Sequence, residues 1–300
     1  MKRAVSISIG SKSRDKRVVT NLLGEDVIIE RIGTDGDEEK AYQLFCELDG
    51  EVDAFGVGGI DLQIHAIKRD YPLYAGLKLV RDVNKTPVVD GGGLKATLEA
   101  RVIQDAEKQL GEFLNPKTAF LVAGLTRGGM TKSFIEAGYK ITFGDLMFGL
   151  GIPIPINTVP VANLAAAILL PIVGRMPIEM LYPTGEKQLE VVPKYIKHYQ
   201  GNKVIAGDWI YIMQHAPDDL SGKVIVTNTT TEDDVRFLKA RGVAYLVTTT
   251  PVLDGRSFGT NMFEAALVAA AGKNRVLSND ELNQIIEQLG LGAQIQDLSC

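Results

Sequence analysis

The stretch AGLTRGGMTKSFIEAGYKITFGD, residues 123–145, holds the residue types of a dinucleotide-binding turn at nearly the required spacing. A GxGxxG turn between strand and helix would put glycines at 124, 126 and 129; Gly124 and Gly129 are present, and Thr126 takes the middle place. In such a turn the first glycine permits a sharp bend, the middle one lets amides approach a pyrophosphate, and the last lets helix pack on strand. Gly128 relieves crowding from the other side, where a helix N-terminus offers free N–H groups to an anion. Arg127 is placed to pair with a phosphate or to stand in solvent. Asp145 follows Gly124 by about twenty residues, where an acid accepts hydrogen bonds from ribose hydroxyls and favours NAD over NADP. Its other reading is an N-cap.

A second loaded stretch is VVDGGGLK, residues 88–95. Glycines after a strand form an anion nest, here including Gly92 and Gly93, and Asp90 and Lys95 are the candidate acid–base pair beside it. The bland reading is a tight strand-to-helix turn. GVGGIDL offers Asp61 as a parallel substrate contact or an N-cap. TNTTT (227–231) and TTTP (248–251) follow apolar runs, so Asn228 and Thr229 are placed to hold a nicotinamide or sugar, or to cap a helix. His65, His198 and His215 share no chelating spacing, so no metal is expected.

These residues need a scaffold that turns from strand to helix at each site. RAVSISI (3–9) alternates as a strand, VIIERIG (27–33) is another, and TDGDEEKAYQLFCEL is a helix with acids in its first turn. DAFGVGG and TPVVDGGG are apolar runs that end in glycine. TAFLVA, YKITFGD, KVIAGD, KVIVTN and VAYLVTT continue the rhythm of parallel α/β units, with helical patterns between them. The expected fold is α/β: a substrate-binding unit over residues 1–113, a Rossmann-like doubly wound parallel sheet over 114–253, and C-terminal helices over 254–300 that pack back on the first unit.

The chain has 300 residues, 45% of them hydrophobic, enough for two cores. Its formal charge of −5 disfavours nucleic acid as a partner. The N-terminus lacks the features of a signal peptide. The most apolar run, residues 159–173, is too short to cross a bilayer and is expected to be buried against another element or a second subunit. Cys46 and Cys300 cannot form a disulfide framework, which fits a reducing cytoplasm.

The order of motifs resembles the shikimate and quinate dehydrogenase family. VTNTTT is similar to that family's strand ending in Asn-Ala-Thr, AYLVTTTP to its next strand and proline turn, and FGTNMFEAAL to its Gly-x-x-Met-Leu helix start. The whole chain also resembles a group of bacterial proteins that carry the name quinate 5-dehydrogenase. The family's lysine and aspartate segments are not intact; VNKTPVVDGGGLK offers a loose counterpart, and residues 146–199 are longer than the family's equivalent. The resemblance implies an NAD-dependent oxidoreductase for a small anionic hydroxy compound, with Lys95 and Asp90 in proton transfer and Asn228 and Glu264 lining the nicotinamide side. The alternatives are a non-catalytic nucleotide-binding sensor, or a transferase or lyase that uses the glycine-rich anion sites.

Overall fold

The computed structural model describes residues 1–178, 191–250, 252–253 and 256–299. Pro251 of TTTP, part of the 146–199 segment and Cys300 lie outside the described residues. The chain begins with β1 (Lys2–Ser8), β2 (Lys16–Leu22), β3 (Glu25–Gly33), β4 (Ala54–Gly58), β5 (Gln63–His65), β6 (Asp70–Pro72) and β7 (Val88–Val89). Five of these form a sheet in the order β2-β3-β1-β4-β7, parallel except for β2. β5 and β6 form a separate hairpin. Helices α1 (Glu38–Glu47), α2 (Tyr74–Leu79), α3 (Gly92–Thr97) and α4 (Val102–Leu110) connect and follow these strands. Asp37 caps α1 by accepting from the Lys40 amide, as its place before an acidic first turn suggests.

The second sheet is built from β8 (Thr118–Leu121), β9 (Lys140–Phe143), β10 (Val204–Ala206), β11 (Val224–Thr227) and β12 (Tyr245–Thr248), all parallel, in the order β12-β11-β10-β8-β9. The short pair β13 (Val252–Leu253) and β14 (Arg256–Ser257) stands apart, and β15 (Gln294–Asp297) adds antiparallel to β12. Among the described residues, the helices of this half are α5 (Gly128–Glu136), α6 (Asp145–Leu150), α7 (Val159–Val173), α8 (Ile196–Gly201), α9 (Trp209–Gln214) and α10 (Glu232–Ala240). Finally, α11 (Thr260–Ala271) and α12 (Asn279–Gln288) lead to β15.

Alternation along the strands makes this sheet doubly wound. Ala119, Leu121, Val204, Ala206, Val224 and Val226 face one core with Met130 and Phe134 of α5. Phe120, Val122, Ile205 and Ile225 face the other with Tyr199, Ile212 and Leu238 of α8, α9 and α10. The strand order reverses between β8 and β10, so the crevice beyond their carboxyl ends is the expected ligand edge. In the first sheet, Val5, Ile7 and Phe55 join the core shared with the second sheet, and the opposite face, Ala4, Val27, Ile29 and Ala54, is covered by α11. The C-terminal helices thus return to the first sheet, while β15 adds an edge to the second.

Candidate active site

The hairpin β5–β6, α3 and the N-terminus of α5 meet where the two halves touch. His65 at the end of β5 forms a parallel bridge with Arg127. An added Cβ at Gly128 would lie 2.3 Å from the Ala66 carbonyl oxygen, and one at Gly129 would lie 1.8 Å from that of Lys95. These glycines exist because backbone from the first half occupies the space a side chain would need.

The rest of the fingerprint is likewise engaged within the protein. Arg127 is buried, with Nη1 donating to Glu99 at 2.7 Å and Nη2 to Asp208 at 2.8 Å, so neither arm is free for a phosphate. Burial disfavours its charge, but the two carboxylates more than offset that and raise its pKa. Asp145 does not reach out to a ribose: its Oδ1 accepts from the Leu125 amide at 2.7 Å and its Oδ2 from the Gly124 amide at 3.2 Å. Burial pushes this carboxyl up to about 7, against the pull of those amides. Thr126, in the middle glycine's place, turns its hydroxyl back to the Ala123 carbonyl at 3.3 Å. Gly124 packs under Phe143, whose ring would stand 2.7 Å from an added Cβ. The turn is self-braced.

The acid–base expectation for Lys95 and Asp90 also changes. Lys95 Nζ donates to Asp61 Oδ2 at 2.6 Å, so its direct partner is Asp61. Burial lowers the ammonium's pKa, yet Asp61 and then Asp90 outweigh it and keep the lysine charged. Asp90 is a clamp: Oδ2 accepts from the Leu62 and Gln63 amides at 2.7 and 3.1 Å, and Oδ1 from Gly92 at 2.9 Å. Burial raises this carboxyl, but His65, Lys95 and the amides together hold it well below the usual carboxylate range.

Between these elements lies a recess of 360 Å³, lined by His65, Gly92, Gly93, Gly128, Gly129, Lys132 and Glu264, among others. Its volume is at the low end of the range for small-molecule pockets. Gly91 enters α3 with a φ of 91°, and the next two glycines leave room for neighbours: a Cβ at Gly92 would meet His65 Nε2 at 2.3 Å, and one at Gly93 would meet Glu264 Oε1 at 2.7 Å. Glu264 is 2% exposed and accepts from the Leu94 amide at 3.2 Å; burial pushes its carboxyl up to about 7. His65 Nδ1 lies 3.1 Å from Asp70, and Nε2 lies 3.5 Å from Asp90 without hydrogen-bond geometry. Burial disfavours the imidazolium, but Asp90 and Asp70 more than compensate and raise its pKa above the ordinary value.

The structure therefore brings Gly92, Gly93, Gly128, Gly129 and Glu264 together around one recess, and leaves Asn228 and Thr229 at the carboxyl end of β11. Asn228 Nδ2 lies 3.4 Å from Asp208, and its carbonyl accepts from Thr250 at 2.8 Å. His65, Asp70, Glu99 and Asp208 are the groups that sequence reasoning did not assemble. The signal for the first two was present in QIHAIKRDYP, where two short β-like runs flank a polar turn.

A family model described as Domain of unknown function (DUF8754) matches residues 93–298, and a second, Domain of unknown function (DUF8753), matches residues 3–90. The chain belongs to the DUF8754 family. No curated protein matches this chain. Among solved structures, shikimate 5-dehydrogenase from Thermus thermophilus in complex with shikimate shares 13% identity with this DUF8754 member, with 96% of this chain and 99% of that one covered and a TM-score of 0.39. NAD-dependent malic enzyme from Thermotoga maritima shares 12%, covering 94% and 75%, with a TM-score of 0.38. A glucose-galactose binding protein from Geobacillus stearothermophilus shares 10%, covering 99% and 97%, with a TM-score of 0.40. Enzymes and a sugar-binding protein stand at the same level of likeness, and none assigns an activity to the DUF8754 chain.

Proposed function

We propose that the protein is an enzyme that acts on a small anionic hydroxy compound held in the recess, with His65 as the proton-transfer group. The observation that carries this reading is the His65 imidazole, with Asp70 3.1 Å from Nδ1 and with Nε2 lacking a hydrogen-bond partner, at a recess sized for one small molecule. An imidazole whose proton neighbouring carboxylates help to hold can present that proton to a bound molecule and take it back. Lys132 and the amides at the start of α5 supply positive potential for the anionic group, and Glu264 and the Gly92–Gly93 backbone supply polar contacts. The Lys95–Asp61 and Arg127–Glu99–Asp208 pairs fix α3 and α5 around it.

A second reading, NAD-dependent oxidoreduction, is favoured by the crevice at the strand-order reversal, where Asp208, Asn228 and Thr229 lie at the ligand edge of a doubly wound sheet. At the turn 124–129 Arg127 and Asp145 are already paired within the protein, so this reading requires that a dinucleotide bind without them or displace those contacts. Titration with NADH, followed by nicotinamide fluorescence, together with turnover on a panel of hydroxy acids, separates the two. Turnover without nucleotide supports the first reading. NADH binding with nucleotide-dependent turnover supports the second, and no turnover of any member under either condition leaves a binding protein and overturns both.

A further inference from the structure

Residues 146–174 contain no charged side chain and no histidine. Within this segment, α7 runs for 15 residues with Asn163 as its one polar side chain. One face packs inward: Ala162, Ala166 and Leu170, spaced four apart, are buried in the shared core. The opposite face is apolar as well and stands in solvent, with Val161, Leu164, Ile168 and Ile172 each 52–61% exposed. A soluble helix normally puts charge on that side, and one that is apolar all round is buried on both. The preceding loop adds Ile152 and Ile154, 41% and 58% exposed.

We propose that this face of α7 is the interface of a homodimer, with α7 of one chain packed against α7 of a second copy. Spacings of three, four and four residues from Val161 to Ile172 form a continuous seam of aliphatic knobs, and Ala165 and Ala167 leave holes between them. A seam without charge is self-complementary, because a two-fold axis through it sets no like charges against each other. The six exposed aliphatics present roughly 600 Å² of apolar surface, at the top of the range for the largest patch on a monomer and close to the ~800 Å² each partner gives to a stable interface. A lipid surface suits this face less well: helices that lie on membranes border their apolar face with lysine and arginine, and none occurs between 146 and 174.

The interface would also bear on the recess. Pro72 in β6 packs on α7's end, where the Gly174 carbonyl accepts from the Tyr74 amide at 2.9 Å and an added Cβ at Gly174 would touch the Pro72 carbonyl at 2.4 Å. The same hairpin carries His65 and Asp70, so a second copy would brace the element that closes the recess.

The test uses the full chain. Light scattering after gel filtration and sedimentation velocity from about 1 to 100 µM should give twice the 32.5 kDa chain mass. A Leu164→Glu/Ile168→Glu variant should sediment as a monomer, with circular dichroism and a thermal melt showing that its fold survives; both positions are exposed. Mixing it with Leu164→Lys/Ile168→Lys should restore a dimer of one chain of each kind, whichever way the helices run. If either charged chain fails to fold, Leu164→Ser/Ile168→Ser replaces it and should weaken dimerisation at least 100-fold. A parent that stays monomeric at 100 µM overturns the proposal, as does a folded charged variant that remains dimeric. A monomeric parent that co-sediments with phosphatidylcholine vesicles overturns it in favour of a lipid surface.

Discussion

His65 shows how one side chain takes its chemistry from two separated segments, its own hairpin and the turn into α3. Asp70 lies across the hairpin turn, Asp90 is the clamp after β7, and Gly92 leaves the space into which Nε2 projects. With a substrate of the proposed class, His65→Asn should lower kcat/KM by about 100-fold or more, the range of general acid–base catalysis. Asp70→Asn should cost less and move the imidazole limb of the pH profile to lower pH, because a carboxylate that raises the pKa has been removed. Steady-state kinetics across pH 5 to 9 checks both, and an unmoved limb would count against His65 as the titrating group. Asp145 makes a separate test. Its folded pKa of about 7 lies above the ordinary Asp value, so the contribution to stability is complete below about pH 4 and is lost as pH rises to 7. Relative to Asp145→Asn, the parent should therefore lose stability between pH 4 and 7 and hold level above, in urea unfolding at each pH.

At the scale of elements, the glycine turn was legible and the backbone that packs against it was not. The spacing Gly124, Gly128, Gly129 correctly marks a turn from β8 into α5, because only glycine tolerates such close approach. The partner that approaches is the backbone of Ala66 and Lys95, and no local pattern announces a contact made by segments that distant in sequence. Gly129→Ala must push Lys95 away, so it should destabilise by about 1 to 3 kcal/mol, as overpacking does, and should speed amide exchange in the 63–72 hairpin. An unchanged melting temperature and exchange pattern would mean that the halves do not dock there in solution. Arg127→Met should cost about 3 to 5 kcal/mol, because Glu99, 1% exposed, would keep a buried charge without its cation. Adding Glu99→Gln should recover much of that loss in denaturant titrations.

The parallel strands were legible because short buried apolar runs, several of them ending in glycine, alternate with helical patterns. The missed elements share one property, weak periodic burial. β2 lies at a sheet edge with alternate residues exposed, β5 and β6 are three residues each, and β15 is the polar edge strand QIQD. For α7, the sequence pointed to burial against an element or a second subunit; one face meets the core, and the other is the surface proposed to pair.

Over the whole molecule, the chain crosses between its two sheets more than once, and this decides how it should unfold. Residues 2–89 supply the first sheet, yet α11, buried from Met262 to Ala270, covers that sheet's second face, and Asn261 Nδ2 donates to Ser6 in β1 at 2.8 Å. The same C-terminal region then crosses to the second sheet, where β15 pairs with β12 from Tyr245↔Asp297 to Thr248↔Gln294. One core joins Val5 and Phe55 of the first sheet to Leu121 and Val204 of the second through α4 and α5. Neither half can lose its packing without exposing apolar surface of the other, the condition for a single cooperative transition. Calorimetry of the full chain should show one endotherm. A chain ending at residue 258 should lack a cooperative melt, since Ala4, Val27, Ile29 and Ala54 would face water and β12 would become an open edge. Two resolved endotherms, or a cooperative melt of residues 1–258, would show that the halves are stable alone and that α11 and β15 are accessory to the fold.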